Sequence, residues 1–314
     1  MSVYLGCSLC TVVLAGLGLV VDDWGTLVTF LCLGGGAVAL TDPGLAILVS
    51  RSIPMRRQGL AFGIKEASIP VATLVAGLAV PTIALTVGWR WAFAFGVVPL
   101  AAVVLLLPRV ATGAVPEPAT PGEIGASQSR VPPRGNALML AALAAALGTT
   151  AASGVGIFLT DSAVAMGMTP GNAGLLLAAG SVAGIVTRVG TGAYADRTGG
   201  PQFTLIAAML AVGALTMALG GIGNTILLVL ATIGAFSAGW AWTGIYFLSL
   251  VRSYPSRPGA VAGIGTAGLG VGNAAGPILF GLVAGSMSFG AAWFGAALVG
   301  GLASALMALA RRRF

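Results

Sequence analysis

Gly192-Ala193-Tyr194-Ala195-Asp196-Arg197-Thr198-Gly199-Gly200 is a polar, turn-forming stretch between two long apolar runs, and its reading decides the fold. Gly199 and Gly200 supply φ freedom, Pro201 is expected to restart a helix, and Asp196-Arg197 gives a short loop a charged anchor in water. The stretch is expected to be a tight loop just outside a membrane.

Composition supports the membrane. With 57% apolar residues, a mean hydropathy of +1.01 and 7% charged residues, the chain has too little polar surface to cover a soluble globule of 314 residues. Its 49 glycines suit membrane helices that approach closely through small residues. The absence of histidine excludes His-based metal sites, haem ligation and general bases. Cys7-x-x-Cys10 lies inside an apolar run with no strand pattern nearby, so helix packing explains it better than redox chemistry.

The pattern G-x-x-x-D-R-x-G-G from Gly192 to Gly200, between two apolar helices, resembles a signature loop of the major facilitator superfamily. In that family it joins the second and third helices of each half on the cytoplasmic side. The resemblance implies an all-α, polytopic, two-bundle secondary transporter with gating roles for Gly192, Asp196, Arg197 and Gly199.

Ten apolar runs reach the roughly 20 residues that cross a bilayer core, near 2–20, 25–49, 60–86, 90–108, 138–160, 171–191, 202–221, 224–250, 259–284 and 288–310. With residue 1 at the cytoplasmic face, every Lys and Arg except Arg90 falls at an inner loop or inner helix end. That asymmetry predicts a cytoplasmic-membrane protein with both termini inside. It also accounts for the net charge of +7, and no nucleic-acid partner is expected. Residues 110–136, with Pro116, Pro118, Pro121, Pro132 and Pro133, are expected to be a cytoplasmic linker between a four-helix bundle (1–109) and a six-helix bundle (137–314).

The bundles repeat each other. Arg51-Ser52-x-Pro54-x-Arg56 recurs as Arg252-Ser253-x-Pro255-x-Arg257, and Gly59-x-x-x-Gly63 recurs as Gly259-x-x-x-Gly263. Two parallel halves of this kind occur in the superfamily named above. At this offset, twins of the helix at 138–160 and of the signature loop fall before Met1, so the chain is expected to lack the first two helices of a twelve-helix transporter.

Charges inside a membrane cost about 2.5 to 3.5 kcal/mol at a helix centre on the insertion scale, which makes each a functional candidate. Asp42 lies near mid-bilayer beside Pro43, where a kink would free backbone carbonyls. It is a candidate for carrying a proton or facing a cationic group. Glu66 is about 10 Å along its helix, next to a Lys65 able to snorkel toward the cytoplasmic surface. A gating ion pair between Glu66 and Arg188 is one reading, and helix-end solvation is the other.

Trp240 and Thr243, with Tyr246 on an adjacent row, form an aromatic and hydroxyl face suited to a mostly apolar organic solute. Thr150 and Ser153 offer a second hydroxyl face. Gly268, Gly272 and Gly276 form a close-packing ridge, expected to face lipid here because its family partner is one of the missing helices.

No phosphate-binding loop of the G-x-x-x-x-G-K-[ST] type occurs and no cofactor is expected. No convergent catalytic set is present, so the chain is not expected to be an enzyme. The function expected is secondary transport of a small organic solute, coupled to an ion such as a proton, by a monomer in the lipid bilayer that works by alternating access. The alternatives are a truncated, non-transporting remnant and a proton-antiport drug exporter. Against the exporter, Thr29 to Leu33 contains no arginine, and Ile69-Pro70 stands where exporters of this family often carry Gly-Pro.

Overall fold

The computed structural model describes residues 2–111, 135–254 and 258–314, and their side chains except at 2–4, 39–52, 55, 106–111, 135, 258 and 259. Every regular element among the described residues is helical. Lipid offers no hydrogen bonds, so an apolar backbone within it must satisfy its own N–H and C=O groups, as a helix does. The helices are α1 (Ser2–Leu19), α2 (Trp24–Ser52), α3 (Gln58–Ala79), α4 (Trp89–Ala111), α5 (Gly135–Ala165), α6 (Pro170–Thr198), α7 (Phe203–Gly220), α8 (Thr225–Gly234), α9 (Thr243–Ser253), α10 (Pro258–Ser286) and α11 (Phe289–Ala310).

Helix starts carry side-chain caps where the sequence supplies them. Thr169 accepts from the Asn172 N–H before α6, Asn224 from Ile226 and Leu227 before α8, and Ser288 from Ala291 before α11. Seven membrane-length apolar spans are present, one of them the joined stretch Thr225–Ser253. Three further apolar stretches, Leu5–Leu19, Trp24–Val38 and Trp89–Leu105, lie in α1, α2 and α4. Seven of the ten expected crossings are thus present at membrane length, and the other three correspond to these shorter stretches among the described residues.

Three local expectations are corrected. The stretch from Gly192 to Thr198 is not loop but the last turns of α6, and only residues 199–202 leave the helix. Gly199 and Gly200 there have φ of +67° and +64°, a region that strains any residue with a Cβ. Pro201 does not open the next helix, which starts at Phe203 after Gln202. The span expected as one helix over 224–250 is broken: α8 passes into a π turn at Ala235–Gly239, and α9 begins at Thr243. Of the expected linker, 112–134 lies outside the described residues.

The chain divides into two compact units, Met1–Ser52 with Ala79–Ser129, and Ile53–Leu78 with Arg130–Phe314. In the first, α1 packs on α2 and α4. Val13, Leu17 and Val21 are buried there against Leu27, Phe30 and Phe93. Arg90, the one basic residue expected outside, pairs with Asp22 and donates to the carbonyl of Val21 at 2.7 Å. Asp23 caps α2 by accepting from the Thr26 N–H at 2.9 Å.

In the second unit, α5 packs on α10 and α11, and α11 packs on α7. Leu159, Met217, Leu228, Phe236, Phe280 and Trp293 form the centre of its core. Trp293 fits over Gly220, and its Nε1–H donates to Ser162 Oγ at 3.2 Å. The ridge Gly268, Gly272 and Gly276 does not face lipid. A Cβ on these glycines would strike Ala142, then Ala146 and Thr149, then Thr150 and Ser153 of α5. Residues 53–78, which hold most of α3, join this unit.

Candidate functional site: a buried polar cluster on three helices

α3 and α6 run antiparallel along a stripe of small residues. A Cβ on Gly59 would meet the Gly192 carbonyl at 2.5 Å, one on Gly63 the Arg188 carbonyl at 2.6 Å, and one on Gly77 the Gly174 carbonyl at 2.6 Å. From Gly59 to Gly77 the stripe rises about 27 Å at 1.5 Å per residue, close to the thickness of a bilayer core of about 30 Å. Backbones this close give dispersion contact, and a buried polar side chain on one helix can reach atoms on the next.

Three polar contacts cross the stripe or border it. At the end of α6, the Asp196 carboxylate accepts from the backbone N–H of Gly59 at 2.7 Å and of Leu60 at 2.8 Å. It therefore caps α3 from another helix. Arg252 of α9 pairs with Asp196 at 3.4 Å and donates to the carbonyls of Ala195 at 2.9 Å and Gly200 at 3.1 Å. Nearer the far end, the hydroxyls of Thr73 and Ser181 lie 2.8 Å apart.

Between these two, Glu66 is 5% exposed and accepts from Thr243 Oγ1 at 3.1 Å. Lys65 pairs with Glu66 at 3.0 Å and lies 5.7 Å from the centre of the Phe247 ring. Its side chain is 13% exposed, so it turns inward instead of snorkelling to the surface. Glu66 is accordingly not a solvated helix end. Gly63 and Gly244 bring α3 and α9 together: a Cβ on Gly244 would meet Gly63 Cα at 3.4 Å and Glu66 Cγ at 3.6 Å.

Arg188 is the third charge and is 2% exposed. It does not pair with Glu66 in this structure. Its Nη2 donates to the Trp240 carbonyl at 3.1 Å, its guanidinium lies 5.9 Å from the centre of the Trp240 ring, and its Nε–H has no partner among the described residues. The break in the α8–α9 span creates this arrangement. Gly239 approaches Gly213 of α7 too closely for side chains, and Gly156 of α5 leaves room for the Trp240 ring. The chain unwinds over 240–242, which frees the Trp240 carbonyl for the guanidinium. A π turn inside a helix often marks such a position.

The residues singled out by sequence thus fall in different places. Glu66, Arg188, Trp240 and Thr243 share one cluster. Gly192 and Asp196 hold α3, Gly199 forms the turn after α6, and Arg197 is exposed. Thr150 donates to Ala146 of its own helix, and Ser153 to Thr149 with a longer bond to the Gly272 carbonyl, so both sit in the α5–α10 contact. Tyr246 is buried against Trp242 and Phe247, its hydroxyl without a partner among the described residues. The side chain of Asp42 lies outside the described residues.

The family model of the Major Facilitator Superfamily matches residues 2–264. The chain belongs to the major facilitator superfamily. Its fold is similar to that of solved transporters across nearly its whole length. FucP in the outward conformation matches with a TM-score of 0.66 at 16% identity, covering 98% of this chain and 80% of that one. A single-residue variant of the E. coli fucose:proton symporter FucP matches with a TM-score of 0.68 at 14% identity, covering 98% and 83%. The human organic anion transporter MFSD10 matches with a TM-score of 0.69 at 17% identity, covering 98% and 80%. No curated protein sequence matched. As a member of this superfamily the chain is a multi-pass membrane protein and a secondary transporter, not an enzyme.

Proposed function

We propose that this superfamily member moves a small organic solute across the cytoplasmic membrane, as a monomer with both termini inside, by alternating access coupled to an ion. The observation that carries the reading is Glu66, a buried carboxylate on α3 held by Thr243 of α9 and by Lys65. A charge in that position ties the protonation of one side chain to the contact between α3 and α9. Protonation of Glu66 removes the charge that makes its bond from Thr243 strong, and α3 is then freer to part from α9. Asp196 and Arg252 hold the other end of α3 and must let go in the same movement. The resident ion in this reading is a proton. FucP, a fucose:proton symporter by name, has a similar fold, which is compatible with that choice.

The test is transport in proteoliposomes that contain the purified chain, with a panel of radiolabelled neutral, cationic and anionic organic solutes under an imposed pH gradient. Solute movement that follows the gradient, and loses that dependence in Glu66→Gln, is the expected result. Movement with an unchanged pH profile in Glu66→Gln would remove Glu66 from the coupling.

A further inference from the structure

We infer that Arg188 and Trp240 form a subsite for a small organic carboxylate, with the guanidinium taking the carboxylate and the indole lying against its apolar part. The inference rests on the transporter reading above and names the substrate class that this buried site would take.

Four observations carry it. Arg188 sits within a membrane-spanning helix and is 2% exposed, yet it forms no ion pair among the described residues. A guanidinium in such surroundings is ordinarily matched by a carboxylate. The nearby carboxylate, Glu66, is already held by Lys65 and Thr243.

The donors of Arg188 are left incomplete. Among the described residues its one hydrogen bond is to the Trp240 carbonyl, and its buried Nε–H has no partner there. Arginine offers five donors in a planar fork that matches a carboxylate in two-point contact, and an orphaned buried donor is costly. An incoming carboxylate would satisfy that donor and neutralise the charge together.

The aromatic part of the site is built as well. Trp240 is only half-buried, its ring beside the guanidinium and packed edge-on to Phe236 at 5.7 Å. It is held where the helix unwinds, over Gly156, with the ring beside the charge. An apolar body with one anionic end matches that pair of groups better than a polyol or a cation does.

Finally, α3 covers the helix turn that bears Arg188. Gly63 meets the Arg188 carbonyl so closely that no side chain fits between them. The movement of α3 proposed above would uncover the subsite, so occupancy and the α3 contact are coupled.

The test is binding to the purified protein in detergent, with benzoate as probe and benzamide as its neutral isostere at matched ionic strength. Benzoate should raise the unfolding temperature and benzamide should not. Arg188→Gln should weaken the apparent benzoate affinity at least tenfold, and Arg188→Lys should recover part of it. Should Arg188→Gln not fold, Arg188→Lys and Trp240→Ala carry the comparison, each weakening benzoate while leaving the unliganded protein monodisperse.

Equal shifts with benzoate and benzamide, or undiminished benzoate binding in the variants, would overturn the subsite. The two proposals fail separately. Transport of neutral or cationic solutes with no benzoate binding overturns the carboxylate subsite and leaves transport standing. Benzoate binding that depends on Arg188, with no solute of any class transported, overturns the transport reading and leaves the subsite.

Discussion

Asp196, on the last turn of α6, accepts hydrogen bonds from the backbone N–H groups of Gly59, 137 residues earlier in the chain, at 2.7 Å and of Leu60 at 2.8 Å, and so caps α3. Gly59 allows it, since a Cβ there would lie 2.6 Å from the carboxylate oxygen. The first N–H groups of a helix have no partner within the helix, and a carboxylate is the side chain best suited to them. One residue at the end of α6 thereby fixes the start of α3.

Removing that cap should loosen α3 without unfolding the chain. Asp196→Ala is expected to cost about 1 to 2 kcal/mol, the usual range for a lost helix cap. Asp196→Asn should cost less, because the amide oxygen still accepts one bond. Thermal unfolding in detergent should show a drop of a few degrees for the alanine variant. An unchanged midpoint would mean that Asp196 does not hold α3.

Thr73 and Ser181 offer a covalent test of the movement. Their hydroxyl oxygens lie 2.8 Å apart, so cysteines at both positions should oxidise to a disulfide that ties α3 to α6. In a background with Cys7, Cys10 and Cys32 replaced, transport by the oxidised pair should stop and return on reduction. Full transport by the cross-linked protein would show that α3 and α6 need not separate.

Gly63 and Gly192 should tolerate nothing larger. Leucine at either position drives a side chain into the opposing backbone, and overpacking of this kind costs about 1 to 3 kcal/mol. Gly285, which has open space around it, is the control, and Gly285→Leu should leave the unfolding midpoint within error.

Acid should weaken one exposed cap. The hydrogen bonds from Thr26 to Asp23 hold the Asp23 carboxyl below its ordinary value of 3.8. A folded-state pKa that is depressed means stabilisation present above the unfolded value and lost as pH falls through the folded one. The Thr26 amide should therefore exchange with solvent faster, relative to its neighbours, as pH drops below about 4. In Asp23→Asn that pH dependence should disappear.

The repeat illustrates what a motif can and cannot specify. Gly63 and Gly263 hold corresponding places in it, yet Gly63 meets the Arg188 carbonyl while a Cβ on Gly263 would meet no atom. The motif supplies a small-residue face and says nothing of what covers it.

What the sequence determined by itself was the membrane, the helix positions and the family. An apolar run of about 20 residues satisfies its own backbone in lipid as a helix, so length and hydropathy are enough to locate the apolar helices. Glu66, Arg188, Trp240 and Thr243 were also legible as candidates, because polar groups in such runs are costly and therefore few. Their grouping was not. Which face each helix turns, the bond from Thr243 to Glu66, and the reach of Asp196 to Gly59 depend on contacts between residues more than one hundred positions apart. The unwinding at 240–242 belongs with them: the run from 224 to 250 reads as an unbroken helix, and it opens where Gly239 meets Gly213 and Arg188 takes the Trp240 carbonyl. Those partners come together only when the helices pack, and only the tertiary structure could decide them.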